Sequence, residues 1–161
     1  MSYGDEAEVG YSTARGRDWP SVRQFSVFLE NRVGVLLELV RKFEASNNRI
    51  VAMTVVENAD CAIIRIVLKD PERAKEIFEL SKLPAIESDL LVVQLPEASQ
   101  PLAMICQTLL AAELNILYAY PLMLCPRGIP ALAMHVDDLE MATSTLQKHG
   151  FAILTERDLE E

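Results

Sequence analysis

Residues 29–50, LENRVGVLLELVRKFEASNNRI, and residues 95–116, LPEASQPLAMICQTLLAAELNI, share one grammar: a strand end, a polar turn, a helix and an exit into a β-rich run. They superpose without a gap, because Leu29 and Leu95, Leu36 and Leu102, Ala45 and Ala111, and Ile50 and Ile116 all stand 66 residues apart. At the same offset Leu36, Leu39 and Phe43 fall on Leu102, Ile105 and Leu109, one apolar stripe at helical spacing in each copy. Further on, Ala74 and Phe78 match Ala142 and Leu146 at an offset of 68, and the two extra residues fit the turn Pro126-Arg127-Gly128. A chain built this way contains one supersecondary unit twice.

The unit can be read element by element. Phe25, Val27 and Leu29 alternate with Gln24, Ser26 and Glu30, the pattern of a half-buried strand, with Phe28 hinting at cover on the outer face. A helix follows over 35–46 and closes at Asn47-Asn48, residues that tolerate left-handed backbone. Two β-branched runs, 50–57 and 61–68, flank Asn58-Ala59-Asp60 and form a hairpin. Asp70 caps a second helix that has Pro71 at its first position, and 83–88 supplies a short fourth strand. The second copy gives strand 90–95, helix 101–113, hairpin 116–124 and 129–136, helix 139–149 with Asp138 as cap and Gly150 as stop, and last strand 151–155. Each copy is a βαββαβ ferredoxin-like unit, so the expected fold class is α+β with antiparallel sheets. The expected division is a flexible tail over 1–21 that carries no periodicity, a first domain over 22–88 and a second over 89–161. No Gly/Ser linker separates the two, and 85–95 reads as one nearly continuous extended segment. We therefore expect a fixed pair, packed through sheet edges or helical faces.

A net charge of −9 with 15 Lys and Arg argues against nucleic acid, whose binding needs a clustered basic surface. Cys61, Cys106 and Cys125 are odd in number and far apart, which suits small core hydrophobes in a reducing compartment rather than disulfides or a metal centre. No apolar run reaches a membrane span, and Asp5, Glu6 and Glu8 stand where a signal peptide would be basic. The expected location is the cytoplasm, away from membranes.

A search for catalytic machinery finds little. His135 lies in a strand and His149 beside a helix C-terminus; Asp137-Asp138 and Glu160-Glu161 are neighbouring acids in a turn and at the terminus. There is no nucleophile and base at a known spacing, no metal-ligand cluster and no glycine-rich phosphate loop, so no enzyme, metal or cofactor is expected.

The turn Glu30-Asn31-Arg32-Val33-Gly34 remains. A glycine there permits backbone closed to other residues and a close approach by a ligand, while the free N–H groups of the helix start attract a carboxylate. Asn31 adds a donor and an acceptor suited to the ammonium and carboxylate of a free amino acid. The same residues also make an ordinary strand-to-helix turn, and the sequence alone leaves both readings open.

Taken with the topology and the repeat, FSVFLENRVGVLLELVRKFEASNNRI resembles the opening signature of ACT domains, small regulatory modules that bind amino acids, and is most similar to the ACT region of acetolactate synthase regulatory subunits. The resemblance covers about 22–159 and implies two tandem ACT domains, a non-catalytic role, a small amino-acid effector of branched-chain type, a homodimer, and a catalytic subunit of an amino-acid biosynthetic enzyme as partner. It also implies an effector site between modules, at the turn before the first helix and the start of the second strand. Asn31, Arg32, Val33, Gly34 and Val35 match that turn, with Val33 where a proline is common. In the second copy Gln100 replaces the glycine, yet Asn115, followed by Ile116, occupies the later asparagine position where the first copy has Arg49. Each copy keeps half of the pattern, which implies one composite site with the first turn facing Asn115 and Ile116. The alternative is a structural or oligomerisation module whose sites have decayed, as the loss of glycine at Gln100 suggests.

Overall fold

The computed structural model describes residues 20–160; the expected tail, Trp19 included, lies outside the described residues except for Pro20 and Ser21. The order is β1 (Val22–Glu30), α1 (Val35–Ala45), β2 (Ile50–Glu57), β3 (Cys61–Leu68), α2 (Pro71–Leu80), β4 (Ala85–Gln94), α3 (Pro101–Ala111), β5 (Ile116–Pro121), β6 (Ala131–Val136), α4 (Leu139–Lys148) and β7 (Ile153–Leu154), with 3-10 turns at Pro126–Gly128 and Arg157–Glu160. None of these helices is long and apolar enough to cross a membrane.

Local chemistry sets the element ends. Asp70 accepts from the N–H of Arg73 at 3.1 Å, and Asp138 from that of Met141 at 3.0 Å, so both expected caps satisfy a helix N–H that would otherwise lack a partner. α1 ends as Asn47 turns left-handed (φ 59°), which lets the Asn48 N–H reach back to the Phe43 carbonyl at 3.0 Å. The buried Asn48 side chain then clasps the next cap: Nδ2 donates to the Asp70 carbonyl and the Asp70 N–H donates to Oδ1, both at 2.9 Å. Asn48→Ala is expected to cost about 2–3 kcal/mol, because it orphans both backbone groups in a buried place; urea titration checks it, and a loss below half a kilocalorie refutes the clasp.

The strands form one antiparallel path in the order β2-β3-β1-β4-β6-β5, with β7 also on β4. Each half reproduces the ferredoxin-like arrangement, and the helices cover one face of each. Between the sheet and α1 and α2, Phe25, Val27, Ile64 and Ile66 of the strands pack against Leu39, Phe43 and Phe78 of the helices; between the sheet and α3 and α4, Leu91, Val93 and Met134 pack against Ile105, Leu109 and Leu146. Phe78 packs its ring against Phe25 and Phe43 at centroid distances of 5.2 and 5.3 Å.

Two expectations need correcting. The strands expected at 83–88 and 90–95 are not two but one, β4, which matches the nearly continuous extended segment read over 85–95. Its residues 85–90 pair with β1 from Ala85↔Val27 to Leu90↔Val22, and its residues 91–94 pair with β6 from Leu91↔Met134 to Gln94↔Ala131. With no glycine or proline to break the segment, extended backbone runs straight through the expected junction. The second correction concerns packing. The two halves meet through the helix-free sides of their sheets, where Val22, Val51, Val67, Leu90, Val92, Tyr120, Ala133 and Leu154 make a third core. The sheet curls until the segment after β5 touches β2, with the Met123 N–H donating to the Val51 carbonyl at 2.8 Å.

Gln24 explains why this side was misread. It stands at a polar position of an alternating strand, yet it is fully buried. Its Nε2 donates to Ser88 Oγ at 2.9 Å and to the Tyr118 hydroxyl, and its Oε1 accepts from the Tyr120 hydroxyl at 2.6 Å. An amide thus satisfied can be buried at little cost. Burial, reinforced by the neighbouring Tyr118, raises the Tyr120 pKa above that of an ordinary phenol, so the hydroxyl stays a donor. Beside it the Arg65 guanidinium lies 4.1 Å from the Tyr118 ring centre, and His135 stacks on the same tyrosine at 5.0 Å.

Candidate functional site

β1 delivers the chain to the turn that sequence reasoning singled out. The Arg32 N–H donates to the Glu30 carbonyl at 2.9 Å and the Val35 N–H to the Arg32 carbonyl at 3.4 Å, which reverses the chain before α1 begins. Gly34 sits at the helix start with φ 89°, in the left-handed region, and no side chain caps the helix there. A β-carbon at Gly34 would meet no atom, so glycine is needed for its backbone rather than for space. Val33 beside it is almost fully exposed. Among the described residues no hydrogen bond takes the N–H of Leu36 or Leu37, which leaves the positive end of α1 open to an anion.

Next to the turn is a cleft of about 280 Å³ lined by Phe28, Leu29, Glu30, Arg32, Val35, Glu38, Leu39, Lys42 and Leu83. Its floor is apolar and its rim is charged. Arg32 pairs with Glu38 through contacts of 3.0 and 3.3 Å and approaches Glu30 at 3.7 Å. That pairing raises the Arg32 pKa and holds Glu38 below the ordinary carboxylate value. Asn31 Nδ2 donates to Glu57 Oε1 at 3.1 Å. The two meet because Leu29 on β1 and Glu57 on β2 flank the same β3 residue, Ala62. Sequence reasoning missed Glu38, Lys42, Glu57 and Leu83. Glu38 was visible as an acid in the first turn of α1, whereas Glu57 and Leu83 come in only through strand register.

The second half has a counterpart, a cleft of about 520 Å³ lined by Gln94, Leu95, Pro96, Glu97, Pro101, Gly128, Ile129, Pro130 and the 150–152 loop. Leu95, Pro101 and Phe151 take the places of Leu29, Val35 and Leu83. The repeat therefore extends to its hollows, but the charges are not repeated. Gln100 has φ −134°, and Pro101 opens α3 without an N–H to offer.

Asn115 and Ile116 lie elsewhere. The Asn115 N–H donates to Asp137 Oδ1, the Asp137 N–H returns to the Asn115 carbonyl, both at 3.2 Å, and Ile116 pairs with Val136. The first half shows the same backbone bond from Lys69 N–H to the Arg49 carbonyl. Register along β4 puts the first turn beyond Ala85 and Asn115 level with the strand's middle, about seven residues of rise or on the order of 20 Å away. One chain thus does not bring the two parts of the expected composite site together, because the turn and Asn115 stand at different levels along the shared strand. Of the five turn residues, Arg32 and Val35 line the cleft, whereas Asn31, Val33 and Gly34 are its neighbours in the chain and do not line it.

Among solved structures, a Bacteroides thetaiotaomicron protein superposes with a TM-score of 0.79 at 23% identity, over 88% of this chain and 96% of that one. The regulatory subunit of aspartate kinase from Thermus thermophilus superposes with a TM-score of 0.56 at 11% identity, over 84% and 96%. A structure of aspartokinase alpha and beta subunits gives 0.52 at 17% identity, over 80% and 91%. These likenesses establish the fold. No curated protein sequence matches the chain. The family model described as an ACT domain pair matches residues 20–161, which takes in both βαββαβ units and the strand they share, and the chain belongs to that family.

Proposed function

We propose that the protein is a non-catalytic regulator that binds a small amino acid, of branched-chain type, at the turn opening α1, and passes that occupancy to a partner. The observation that carries this reading is the left-handed Gly34 turn, with its uncapped helix start beside a cleft of apolar floor and charged rim that Arg32 and Val35 line. The effector's carboxylate would meet the N–H groups of α1, its ammonium the carboxylates of Glu30, Glu38 or Glu57, and its side chain Phe28 and Leu83. Asn31, Arg32, Val33, Gly34 and Val35 supply one side of the site. Asn115 and Ile116 supply the other from a further copy, since register keeps them away within one chain. The protein would act in the cytoplasm as a homodimer, as the regulatory subunit of an amino-acid biosynthetic enzyme such as acetolactate synthase; a relative in fold is the regulatory subunit of an aspartate kinase.

A thermal-shift screen of the twenty amino acids tests this. An effector at about 100 times its dissociation constant adds roughly 2.7 kcal/mol, a shift of several degrees. Asn31→Ala and Asn115→Ala are each expected to weaken that response by about tenfold or more, the worth of one or two hydrogen bonds to a charged ligand. Silence from every amino acid supports the second reading, a structural or oligomerisation module. The observations that favour it are the closed Arg32–Glu38 and Asn31–Glu57 pairs at the first turn and the charge-poor second cleft.

A further inference from the structure

Two arginines among the described residues are half-buried, Arg23 and Arg65. Carboxylates account for the first, with Glu156 at 2.7 Å and Glu87 at 3.7 Å from its Nε. Arg65 has no carboxylate partner among the described residues. It stands on β3 next but one to Val67, which faces the core between the halves, and so points to the helix-free side of the sheet. Ser26 of β1 and Thr54 of β2 are its neighbours across the strands. Its guanidinium ends 4.1 Å from the ring centre of Tyr118, on β5 of the other half. A guanidinium partly withdrawn from water without an anion is a charge still to be answered.

The groups nearby are donors as well. The Tyr120 hydroxyl is buried, so its proton needs a protein acceptor, and Gln24 Oε1 supplies one at 2.6 Å. That fixes the amide: its Nε2 faces Ser88 Oγ, at 2.9 Å, and the Tyr118 hydroxyl, and donates to both. Ser88 and Tyr118 therefore accept from Gln24 and keep their own protons free to donate. No acceptor takes either proton among the described residues, and both side chains are half-buried, within reach of solvent. His135, opposite Tyr118 in the β5–β6 register, stacks on the same ring. Thr54, Ser26, Gln24, Ser88, Tyr118 and His135 thus face this side around Arg65, and none is an acid, in a chain that has 24 Asp and Glu.

We propose that Arg65, Tyr118 and Ser88 form a site for a small oxyanion, a carboxylate or a phosphate, where the helix-free faces of the two halves meet. The guanidinium supplies the positive charge and a planar fork of donors, carried on the Tyr118 ring. The two hydroxyls supply protons directed by Gln24, and His135 borders the anion. The site shares no residue with the cleft at the first turn, so it stands whether or not that cleft takes an amino acid.

The chain has two histidines, His135 and His149, so the ring C–H signals of its NMR spectrum give one reporter at the site and one control. Acetate and inorganic phosphate are titrated separately into the full chain at fixed pH, each against sodium chloride of equal ionic strength. The His135 signals should move and saturate beyond the chloride response, and the anion with the lower midpoint tells a carboxylate site from a phosphate site. His149, exposed at the end of α4, should not follow. Arg65→Met should raise the midpoint by about tenfold or more, the weight of a hydrogen bond to a charged group. Tyr118→Phe keeps the ring, deletes only the hydroxyl and should raise it several-fold. Arg65→Lys, which keeps the charge without the fork, should fall between wild type and Arg65→Met. Circular dichroism of each variant should match wild type. A His135 response no larger than that to chloride, equal movement of both histidines, or a midpoint unchanged in both Arg65→Met and Tyr118→Phe overturns the assignment.

Discussion

Phe43→Ala is expected to lower the stability of the whole protein by about 3–5 kcal/mol, the cost of emptying a fully packed aromatic site. Phe43 is completely buried, and its ring stands edge-on to Phe78, which in turn tilts against Phe25. These three rings come from α1, α2 and β1, so the cavity would open where both helices grip the sheet. Neighbours can collapse into it only by moving strands whose other side is also packed. Urea unfolding followed by circular dichroism measures the change; a loss under about 1.5 kcal/mol would mean that the site relaxes far more than its packing implies. Because β4 belongs to both halves, the transition should remain single and shift as a whole.

Arg23→Met should cost nearly as much, about 3–5 kcal/mol, through electrostatics rather than volume. The guanidinium donates Nε to Glu156 Oε1 at 2.7 Å and a terminal nitrogen to Oε2 at 3.0 Å, and it also pairs with Glu72. Glu156 is only 8% exposed, so removing its cation leaves a largely buried charge whose remaining donor is the backbone N–H of residue 23. The double variant Arg23→Met/Glu156→Leu should recover much of the loss, and a double variant no better than the sum of its parts would refute the pairing. Acid adds a second readout. Arg23 holds the Glu72 pKa below the ordinary carboxylate value. A lowered pKa contributes stability above the unfolded value and loses it as pH falls through the folded one. The gap between wild type and Arg23→Met should therefore narrow as pH drops below the ordinary carboxylate range.

Local signals in the sequence carried far. Asp70 and Asp138 announced their helices because a cap is a contact over three residues, and Asn47 announced the end of α1 because few side chains accept its backbone. The offset between Leu39 and Ile105 survived into the structure as equivalent packing. What stayed hidden depends on pairings distant in sequence. Gln24 looks like a solvent-facing residue until Tyr118 and Tyr120, more than ninety positions later, arrive to bond it. Glu57 reaches Asn31 only because β1 and β2 flank β3 in one register. The turn itself was legible, since a glycine between a strand and a helix is a local statement, and so was the extended run over 85–95; the distance from the turn to Asn115 depends on which strands pair along that run, and those pairings join residues far apart in sequence.

The continuity of β4 carries a rule of parity. Along β4 the odd-numbered Ala85, Leu91 and Val93 face the helices, while the even-numbered Leu90 and Val92 face the core between the halves. Successive side chains on a strand point to opposite sides. One residue added between Leu90 and Leu91 would therefore hang α3 and α4 on the wrong side of the sheet and offer Leu91 and Val93 to the space where the halves meet. A linker forgives any change in length; β4 forgives only changes counted in twos. The strand is both the joint of the molecule and the device that keeps its two halves facing the same way.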